Sequence, residues 1–365
     1  MTKTLSSTPK NDGYRMPGEF EPHAETWMIW PERTDNWRLG GKPAQAGFAA
    51  VAEAISGSEL VTMVASARQW THARDVLSER VRVVEMSTDD SWIRDSGPSF
   101  VIDHRGGRRA VDWKFNAWGG LQGGLYFPWD ADELVARKVI DIEDEERYRA
   151  PMVLEGGSIH VDGQGTLLTT EECLLNPDRN PDLTRGQIEQ LLCDYTGAEK
   201  VIWLGRGVYN DETSGHVDNL ACFVRPGIVA LAWTEDTSDP QYEISADARR
   251  RLELATDASG RELEIITLPV PGPLYLTKEE AEGVDAVEGT KPRQPGDRLA
   301  GSYVNYYTGT TRIVFPLLDE RTDDQAGDIL RRCCYPDREI FGVPAREILL
   351  GGGNIHCITQ QVPRA

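Results

Sequence analysis

The chain has little of what disulfide-rich, nucleic-acid-binding and membrane proteins require. Six cysteines in 365 residues, with no CxxC pair, do not make a disulfide framework. Basic residues number 39 against 59 acidic ones, and nucleic acids and anionic membranes both need basic partners. No apolar run is long enough for a membrane span, and MTKTLSSTPKND at the start lacks the apolar core of a signal peptide. We expect a reduced, soluble, cytoplasmic protein that binds neither nucleic acid nor membrane.

Strand and helix patterns alternate along most of the chain. Residues 1–13 are polar and are expected to be disordered, so the folded part begins at residue 14 and runs to 365. The patterns predict helices over 43–57, 67–79 and 184–197. Each helix is followed by a predicted strand, and these strands cover 59–66, 81–86 and 200–205. Turns at Pro226-Gly227 and at Gly309 predict two strand pairs. This order predicts an α/β protein, of one domain or of two.

Polar clusters recur at intervals that favour one domain. The intervals are 60, 61, 86 and 55 residues, between Asp95, Glu155, His216, Ser302 and Cys357. The long interval contains an acidic, Gly/Pro-rich stretch, 277–300, and is close to the others without it. GGSIHVD (156–162) and GGNIHCI (352–358) also echo each other. A period near 60 residues fits five strand–strand–helix–strand modules around a shared centre, as in a propeller.

One cysteine is a candidate nucleophile. Cys357 ends the run GGGNIHC (351–357), and the residues after it read as a strand. Glycines let a backbone approach a ligand closely, so a glycine-rich lead suits a thiol that is presented to a substrate. The alternative is a cysteine that serves as a small buried hydrophobe.

A histidine and three carboxylates complete the candidate set. In HVDN (216–219), a strand would place His216 and Asp218 on one face, where the pair could act as acid and base. Asp95, in WIRDSGP (92–98), and Glu155, before two glycines, could equally be a salt-bridge partner and a capping carboxylate.

Several carboxylates beside one thiol suit a cationic electrophile. Ester and amide hydrolysis develop negative charge on oxygen and need hydrogen-bond donors there, which carboxylates are not. A planar guanidinium fits better, because two carboxylates can hold its nitrogens while a thiolate attacks the central carbon. The residues therefore favour chemistry on a guanidine.

The sequence resembles the agmatine deiminase family of the guanidine-modifying superfamily, which includes arginine deiminases and bacterial-type peptidylarginine deiminases. The resemblance extends from about Tyr14 to Gln361. Its motifs are MPGEFEPHAETWMIWP (16–31), WIRDSGP, FNAWGGLQGGLYFPWD (115–130), EGGSIHVDG (155–163), NDETSGHVDN (210–219) and GGGNIHCITQQ (351–361). It implies a five-bladed α/β propeller, the pentein fold, in agreement with the spacing.

The resemblance also implies a role for each candidate. Cys357 attacks the guanidinium carbon and forms a covalent amidino-thioether, and His216 protonates the departing ammonia and then activates water. Asp95 and Asp218 hold the guanidinium nitrogens, and Glu155 contacts the substrate or orients His216. The products are N-carbamoylputrescine and ammonia, a step of polyamine metabolism toward putrescine, with no metal or organic cofactor.

Selection of agmatine rests on fewer residues. The resemblance assigns Glu212 to the second positive charge of agmatine, and Trp92 and Trp118 could line the alkyl arm or belong to the core. Arginine would need a cationic group for its α-carboxylate, and no motif indicates one. A deiminase of peptidyl arginine would usually be exported, and no signal peptide is evident.

Three alternatives stay open at this point. The first is a deiminase of arginine or peptidyl arginine. The second is a metal-dependent hydrolase with His160, Asp162, His216 and Asp218 as ligands, which leaves Cys357 without a role; we assign the pair His160 and Asp162 a structural role instead. The third is a non-catalytic guanidine-binding protein. The sequence does not determine the oligomeric state, and a homo-oligomer stays open.

Overall fold

The protein is described by a computed structural model that covers residues 2–365. Seventeen strands lie within this range. They are β1 (Thr4–Leu5), β2 (His23–Ile29), β3 (Leu60–Ala65), β4 (Val81–Glu85), β5 (Ser99–Ile102), β6 (Arg108–Lys114), β7 (Arg147–Val153), β8 (Ile159–Val161), β9 (Thr166–Thr170), β10 (Lys200–Leu204), β11 (Ala221–Arg225), β12 (Ile228–Trp233), β13 (Glu264–Pro269), β14 (Tyr307–Thr308), β15 (Arg312–Leu317), β16 (Glu339–Pro344) and β17 (Gln360–Pro363).

Five sheets repeat one unit. Their strand orders are β17-β2-β3-β4, β1-β7-β6-β5, β8-β9-β10, β11-β12-β13 and β14-β15-β16. The first strands of the five units are β17, β5, β8, β11 and β14, and each pairs antiparallel with the second strand, which is β2, β6, β9, β12 or β15. The second strand pairs parallel with the third, which is β3, β7, β10, β13 or β16, across a helical connection. The C-terminal β17 supplies the first strand of the sheet that begins with β2, so the two ends of the chain close the series. The predicted strand–strand–helix–strand modules are confirmed.

The helices occupy the connections and the turns. The predicted helices are confirmed at Lys42–Ser56 and Arg185–Thr196, and the third is shorter than expected, Trp70–Val76. Thr184 begins Arg185–Thr196 with a capping box, and Gly197 ends it in the left-handed region. The remaining α-helices are Pro9–Asp12, Ile93–Ser96, Gly120–Gly123, Val135–Ile142, Glu171–Leu174, Val217–Leu220, Pro240–Leu254, Lys278–Glu282, Asp323–Ile329 and Arg346–Leu349. Single turns of other helix types lie at Arg38–Gly41, Asp132–Leu134, Gly156–Ser158 and Leu330–Cys334.

The prediction of a disordered tail is wrong for residues 2–13. β1 pairs in parallel with β7 and so extends the second sheet. Pro9–Asp12 forms a helical turn that Thr8 caps, and the Asp12 carboxylate accepts hydrogen bonds of 2.7 Å from Arg109 and Tyr148. The segment is polar, so its order comes from partners about a hundred residues away in the sequence.

Apolar side chains between the sheets and their helices form the core. In the first unit, Phe48, Val51 and Ile55 of the helix Lys42–Ser56 pack on Val61 and Met63 of β3, and all five are buried. Burial of each such side chain contributes roughly 1.5–3 kcal/mol. None of the helices described is both long and apolar enough to cross a membrane.

The first strands of neighbouring units lie next to each other. β5 contacts β17, and β8 contacts β11. These contacts are consistent with the predicted propeller, in which the first strands surround a shared centre. The turns that lead into them are brought together at one end of this centre, although they are far apart in the sequence.

Candidate active site

Five segments meet at the centre, and each lies immediately before the first strand of its unit. They are 92–98, 155–158, 216–220, 302–306 and 351–359. A cavity opens above them, lined by Trp92, Asp95, Trp118, Leu125, Glu212, Thr213, Gly351, Gly352, Gly353 and Cys357. The polar clusters that recur in the sequence are therefore one site in space.

Cys357 lies at the end of this cavity and is 4% exposed. Its Sγ lies 3.6 Å from Oδ2 of Asp218 and accepts a hydrogen bond of 3.3 Å from Nδ2 of Asn305. Burial, together with the negative charges of Asp218 and Asp95, raises the pKa of the Cys357 thiol well above its ordinary value. The free protein therefore holds a neutral thiol, and a nearby positive charge would favour the thiolate.

His216 lies in a turn rather than in a strand, so the strand predicted for HVDN is wrong. It precedes the short helix Val217–Leu220, and its backbone N–H donates to Oδ2 of Asp211 at 3.0 Å. The strand is absent because a helix begins directly after His216. Nε2 of His216 lies 3.5 Å from Oε2 of Glu155, and Nδ1 lies 3.9 Å from Oδ1 of Asp95.

Gly157 lets three functional groups converge. A Cβ atom at this position would lie 2.7 Å from Nδ1 of His216, 2.8 Å from Oδ2 of Asp218 and 3.0 Å from Oδ1 of Asp95. The Gly157 N–H also donates to that Asp95 oxygen at 3.0 Å. Only glycine leaves this space open, which explains the second of the two glycines that follow Glu155.

The buried charges of the site shift one another's pKa values. Burial raises the pKa of Asp95 to about 6, with His216 opposing the shift. Burial would lower the pKa of His216, but Asp95, Cys173 and Glu155 outweigh it and raise that pKa well above its ordinary value. For Glu155, burial is outweighed by Arg179 and His216, and the pKa falls to about 2. At neutral pH the site therefore contains an imidazolium between carboxylates.

Arg179 is a partner of Glu155 that the sequence analysis missed. Both side chains are 0% exposed, and Nε of Arg179 donates to Oε1 of Glu155 at 2.9 Å. Nη2 donates to the carbonyl oxygen of Thr213 at 2.7 Å, which fixes the loop that carries His216. Arg179 stands in NPDRNP (176–181), and no feature of that segment marked it as part of a site.

A second buried network holds Asp218, and sequence analysis missed it too. The ring of His356 lies 2.8 Å from Asp218 through Nδ1 and 2.8 Å from Glu19 through Nε2. Arg94 donates to Glu19 at 2.9 Å. Burial and Arg94 work against protonation of His356, but Glu19 and Asp218 raise its pKa. The repeated Gly-Gly-x-Ile-His motif was the available signal, because His160, its counterpart, also lies within 3.7 Å of Glu19.

Asn305 is the residue of the fourth cluster that reaches the thiol. Sequence analysis marked that cluster by Ser302, which lies below the site and accepts a hydrogen bond from Asn354. Asn305 donates to Sγ of Cys357, and its Oδ1 accepts the N–H of His356 at 3.0 Å. The regular spacing of the polar clusters in the sequence located this segment. Only the geometry of the turn shows that Asn305 is the residue that contacts the thiol.

The two tryptophans line the cavity. Nε1 of Trp118 donates to Oδ2 of Asp95 at 2.9 Å, and Nε1 of Trp92 donates to Oδ2 of Asp90 at 3.0 Å. A Cβ at Gly353 would lie 2.5 Å from the Trp92 ring, so the glycine-rich run packs directly against it. The site thus has aromatic walls fixed by hydrogen bonds.

The entrance of the cavity contains basic side chains that the sequence analysis did not predict. Glu212 lies there in an ion pair with Arg293, and Nζ of Lys291 lies 3.5 Å from the same carboxylate. Both cations belong to the stretch 277–300, which the sequence analysis treated as an insertion. No sequence motif indicated a cationic group of the kind that the α-carboxylate of arginine would need, and the structure places two cations beside Glu212.

The proposed alternative metal site does not form among residues 2–365. His160, Asp162, His216 and Asp218 are not a group whose ligand atoms all lie within 4.8 Å of one another. Asp162 instead accepts the N–H groups of Gln164 and Thr166 in a turn. Two other groups have suitable atoms, Glu19 with His160 and His356, and Glu155 with Cys173 and His216. Their carboxylates are already paired with Arg94 and Arg179.

Comparison with known proteins supports the same chemistry. Residues 15–363 match the Porphyromonas-type peptidyl-arginine deiminase family. The chain is 60% identical to the agmatine deiminase of Pseudomonas aeruginosa strain LESB58, over 98% of each chain, and 57% identical to that of Ectopseudomonas mendocina, over 99% and 98%. The solved agmatine deiminase of Enterococcus faecalis matches with a TM-score of 0.97 and 51% identity over 100% of both chains. The chain therefore belongs to the Porphyromonas-type peptidyl-arginine deiminase family and, within it, to the agmatine deiminases.

Proposed function

We propose that this protein hydrolyses the guanidinium group of agmatine to N-carbamoylputrescine and ammonia. One observation carries the proposal: the buried thiol of Cys357 lines a cavity together with Asp95, and Oδ2 of Asp218 lies 3.6 Å from its Sγ, so two carboxylates that suit a planar cation lie beside the thiol. The names of the relatives point to the same substrate.

The guanidinium prepares its own nucleophile. Asp95 and Asp218 hold its nitrogens, and its positive charge offsets the carboxylates that keep the Cys357 thiol neutral. The pKa of the thiol then falls, and the carboxylate of Asp218, 3.6 Å from Sγ, is placed to accept the proton. Desolvation of the cavity strengthens these interactions.

The reaction then proceeds in two halves. The thiolate forms a C–S bond with the guanidinium carbon, and a C–N bond breaks as the His216 imidazolium gives its proton to the departing ammonia. His216, now neutral, takes a proton from water as the water oxygen attacks the amidino-thioether. Cleavage of the C–S bond releases the ureido product, which loses its extra proton to solvent, and the thiolate of Cys357 takes back the proton that Asp218 accepted. Glu155 stabilises the charged form of His216 in this cycle, with Nε2 of the ring at 3.5 Å.

The cap over the site, defined as residues 277–300, supports a small free substrate over a peptidyl one. Its backbone is hydrogen-bonded to the rest of the chain at Leu39, where N–H donates to Gly283 at 2.8 Å, and through the Asp285 and Lys291 N–H groups. The entrance is lined both by residues of the cap and by the loops that carry Trp118 and Glu212. A polypeptide would have to displace this segment.

The test is formation of ureido product from agmatine, arginine and a blocked arginine peptide, side by side and without added metal. We expect turnover of agmatine, and loss of turnover in Cys357→Ser with the fold retained. Cys333→Ser, at an exposed thiol, is the matched control and should stay active. Preferred turnover of arginine or peptide would overturn the substrate assignment. Chelator sensitivity with an active Cys357→Ser would overturn the mechanism, and saturable binding without ammonia release would favour a binding protein.

The six cysteines are free thiols, which supports the proposed cytoplasmic location. Association into a homo-oligomer and participation in polyamine metabolism toward putrescine stay predictions.

A further inference from the structure

Arg293 connects the cap to the catalytic loops. Its side chain is 9% exposed although it belongs to a mostly exposed segment. Nη1 pairs with Oε1 of Glu212, and Nη2 donates to Oδ1 of Asn36 and to the carbonyl oxygen of Gly351, both at 2.7 Å. Gly351 begins the run that leads to Cys357. One guanidinium therefore joins three loops at the entrance, which its planar set of donors makes possible and a lysine could not reproduce.

The two oxygens of Glu212 have different surroundings. Oε1 faces Arg293, with Lys291 at 3.5 Å. Oε2 is buried and has no hydrogen-bond partner. It lies 2.6 Å from the position of a Cβ at Gly352, where φ is +106°, so glycine is required both by the backbone and by this oxygen. Glu212 lines the same cavity as Cys357, and its unpartnered acceptor would be satisfied by a donor bound there.

We propose that Arg293 is a positioning residue that determines specificity, because it holds Oε1 of Glu212 and so turns Oε2 toward the distal ammonium of the substrate. This inference rests on the proposed function and names how agmatine is distinguished from an uncharged alkylguanidine. Arg293 and Lys291 offset the charge of Glu212, and Arg33 is paired with Asp35 beside them at the entrance. Selection by Glu212 therefore depends on hydrogen-bond geometry more than on net charge.

The test compares agmatine with n-butylguanidine, which has the same arm without the ammonium. In the natural protein kcat/KM should favour agmatine by about 10- to 100-fold, the value of a hydrogen bond to a charged group. In Arg293→Gln most of this preference should disappear, and the KM for agmatine should change more than the kcat does. Glu212→Gln should lose it too, and the double variant should resemble Glu212→Gln. An equal loss for both substrates in Arg293→Gln would overturn the inference, because Arg293 would then only hold the Gly351 loop.

Arg298→Gln is the matched control. Arg298 belongs to the same cap and pairs with Asp239, rather than with Glu212, through two hydrogen bonds of 2.9 and 2.8 Å. Its variant should keep the preference for agmatine, and loss of the preference there would also contradict the inference. If the natural protein turns over neither guanidine, the proposed function fails. If it turns over both equally well, only the specificity inference fails.

Discussion

The site is bounded by two regions that both contain ion pairs between basic side chains and carboxylates, but in different surroundings. Below the thiol, a catalytic floor contains Glu19, Arg94, Glu155, Arg179 and His356, all buried. Above it, the cap is largely exposed and contacts the site through few side chains: Lys291 is 46% exposed in its pair with Glu212. The Arg179–Glu155 pair is 0% exposed. Water screens the exposed charges of the cap, such as that of Lys291, whereas the charges of the floor act on one another directly.

This difference separates two tasks. In the floor, burial and neighbouring charges determine protonation, as the pKa of about 2 for Glu155 and of about 6 for Asp95 indicate. In the cap, hydrogen bonding separates the two oxygens of Glu212, because Arg293 binds Oε1 and leaves Oε2 buried without a partner. We expect changes in the floor to alter chemistry and stability, and changes in the cap to alter the choice of substrate.

The largest effect is expected from Arg179→Met. The change leaves the Glu155 carboxylate buried without its cation, and removal of one partner of a buried pair costs about 3–5 kcal/mol of unfolding free energy. The Glu155 pKa should rise, and His216 should lose part of the charge stabilisation that it needs as an acid. Urea denaturation and ammonia release measure the two effects.

The matched control is Arg185→Met. Arg185 is 47% exposed and pairs with Glu171, so its removal should cost about 1 kcal/mol or less. Equal midpoints of denaturation for the two variants would show that the floor is no more dependent on its ion pairs than the surface is.

A smaller effect is expected on the pH dependence of kcat/KM. In the proposed mechanism Asp95 binds the guanidinium as a carboxylate. Because burial raises the pKa of Asp95 to about 6, kcat/KM should fall as the pH drops through about 6. Trp118→Phe removes the indole N–H that stabilises the carboxylate at 2.9 Å. The Asp95 pKa should then rise and the acid limb should move to higher pH. An unmoved acid limb in Trp118→Phe would assign that limb to another group.

The smallest effect is expected from Lys291→Gln in the cap. An exposed pair is worth about 0.2–1 kcal/mol, and Lys291 repels the substrate ammonium near Glu212. The KM for agmatine should fall by no more than about fivefold, with kcat and the denaturation midpoint unchanged. A loss of turnover in this variant would mean that the cap takes part in the chemistry.

Several errors of sequence analysis share one cause. The segment 2–13 looked disordered because its partners, Arg109 and Tyr148, are distant in sequence. HVDN looked like a strand because nothing in the local pattern shows that the Asp211 carboxylate accepts the His216 N–H. Each is a contact that local periodicity does not encode.

The sequence by itself determined the modules and the types of reacting group. Their period and turn residues are local, so five units, a cysteine after glycines, a histidine and carboxylates could be read directly. The roles of Cys357 and His216 stay predictions that the tests above address. Only the tertiary structure decided the partners: Arg179 for Glu155, His356 for Asp218, Asn305 for the thiol and Arg293 for Glu212. Those pairs form because the fold brings turns that are distant in the sequence together at one centre. Burial at that centre shifts the pKa values of the paired groups, and no sequence pattern encodes this burial.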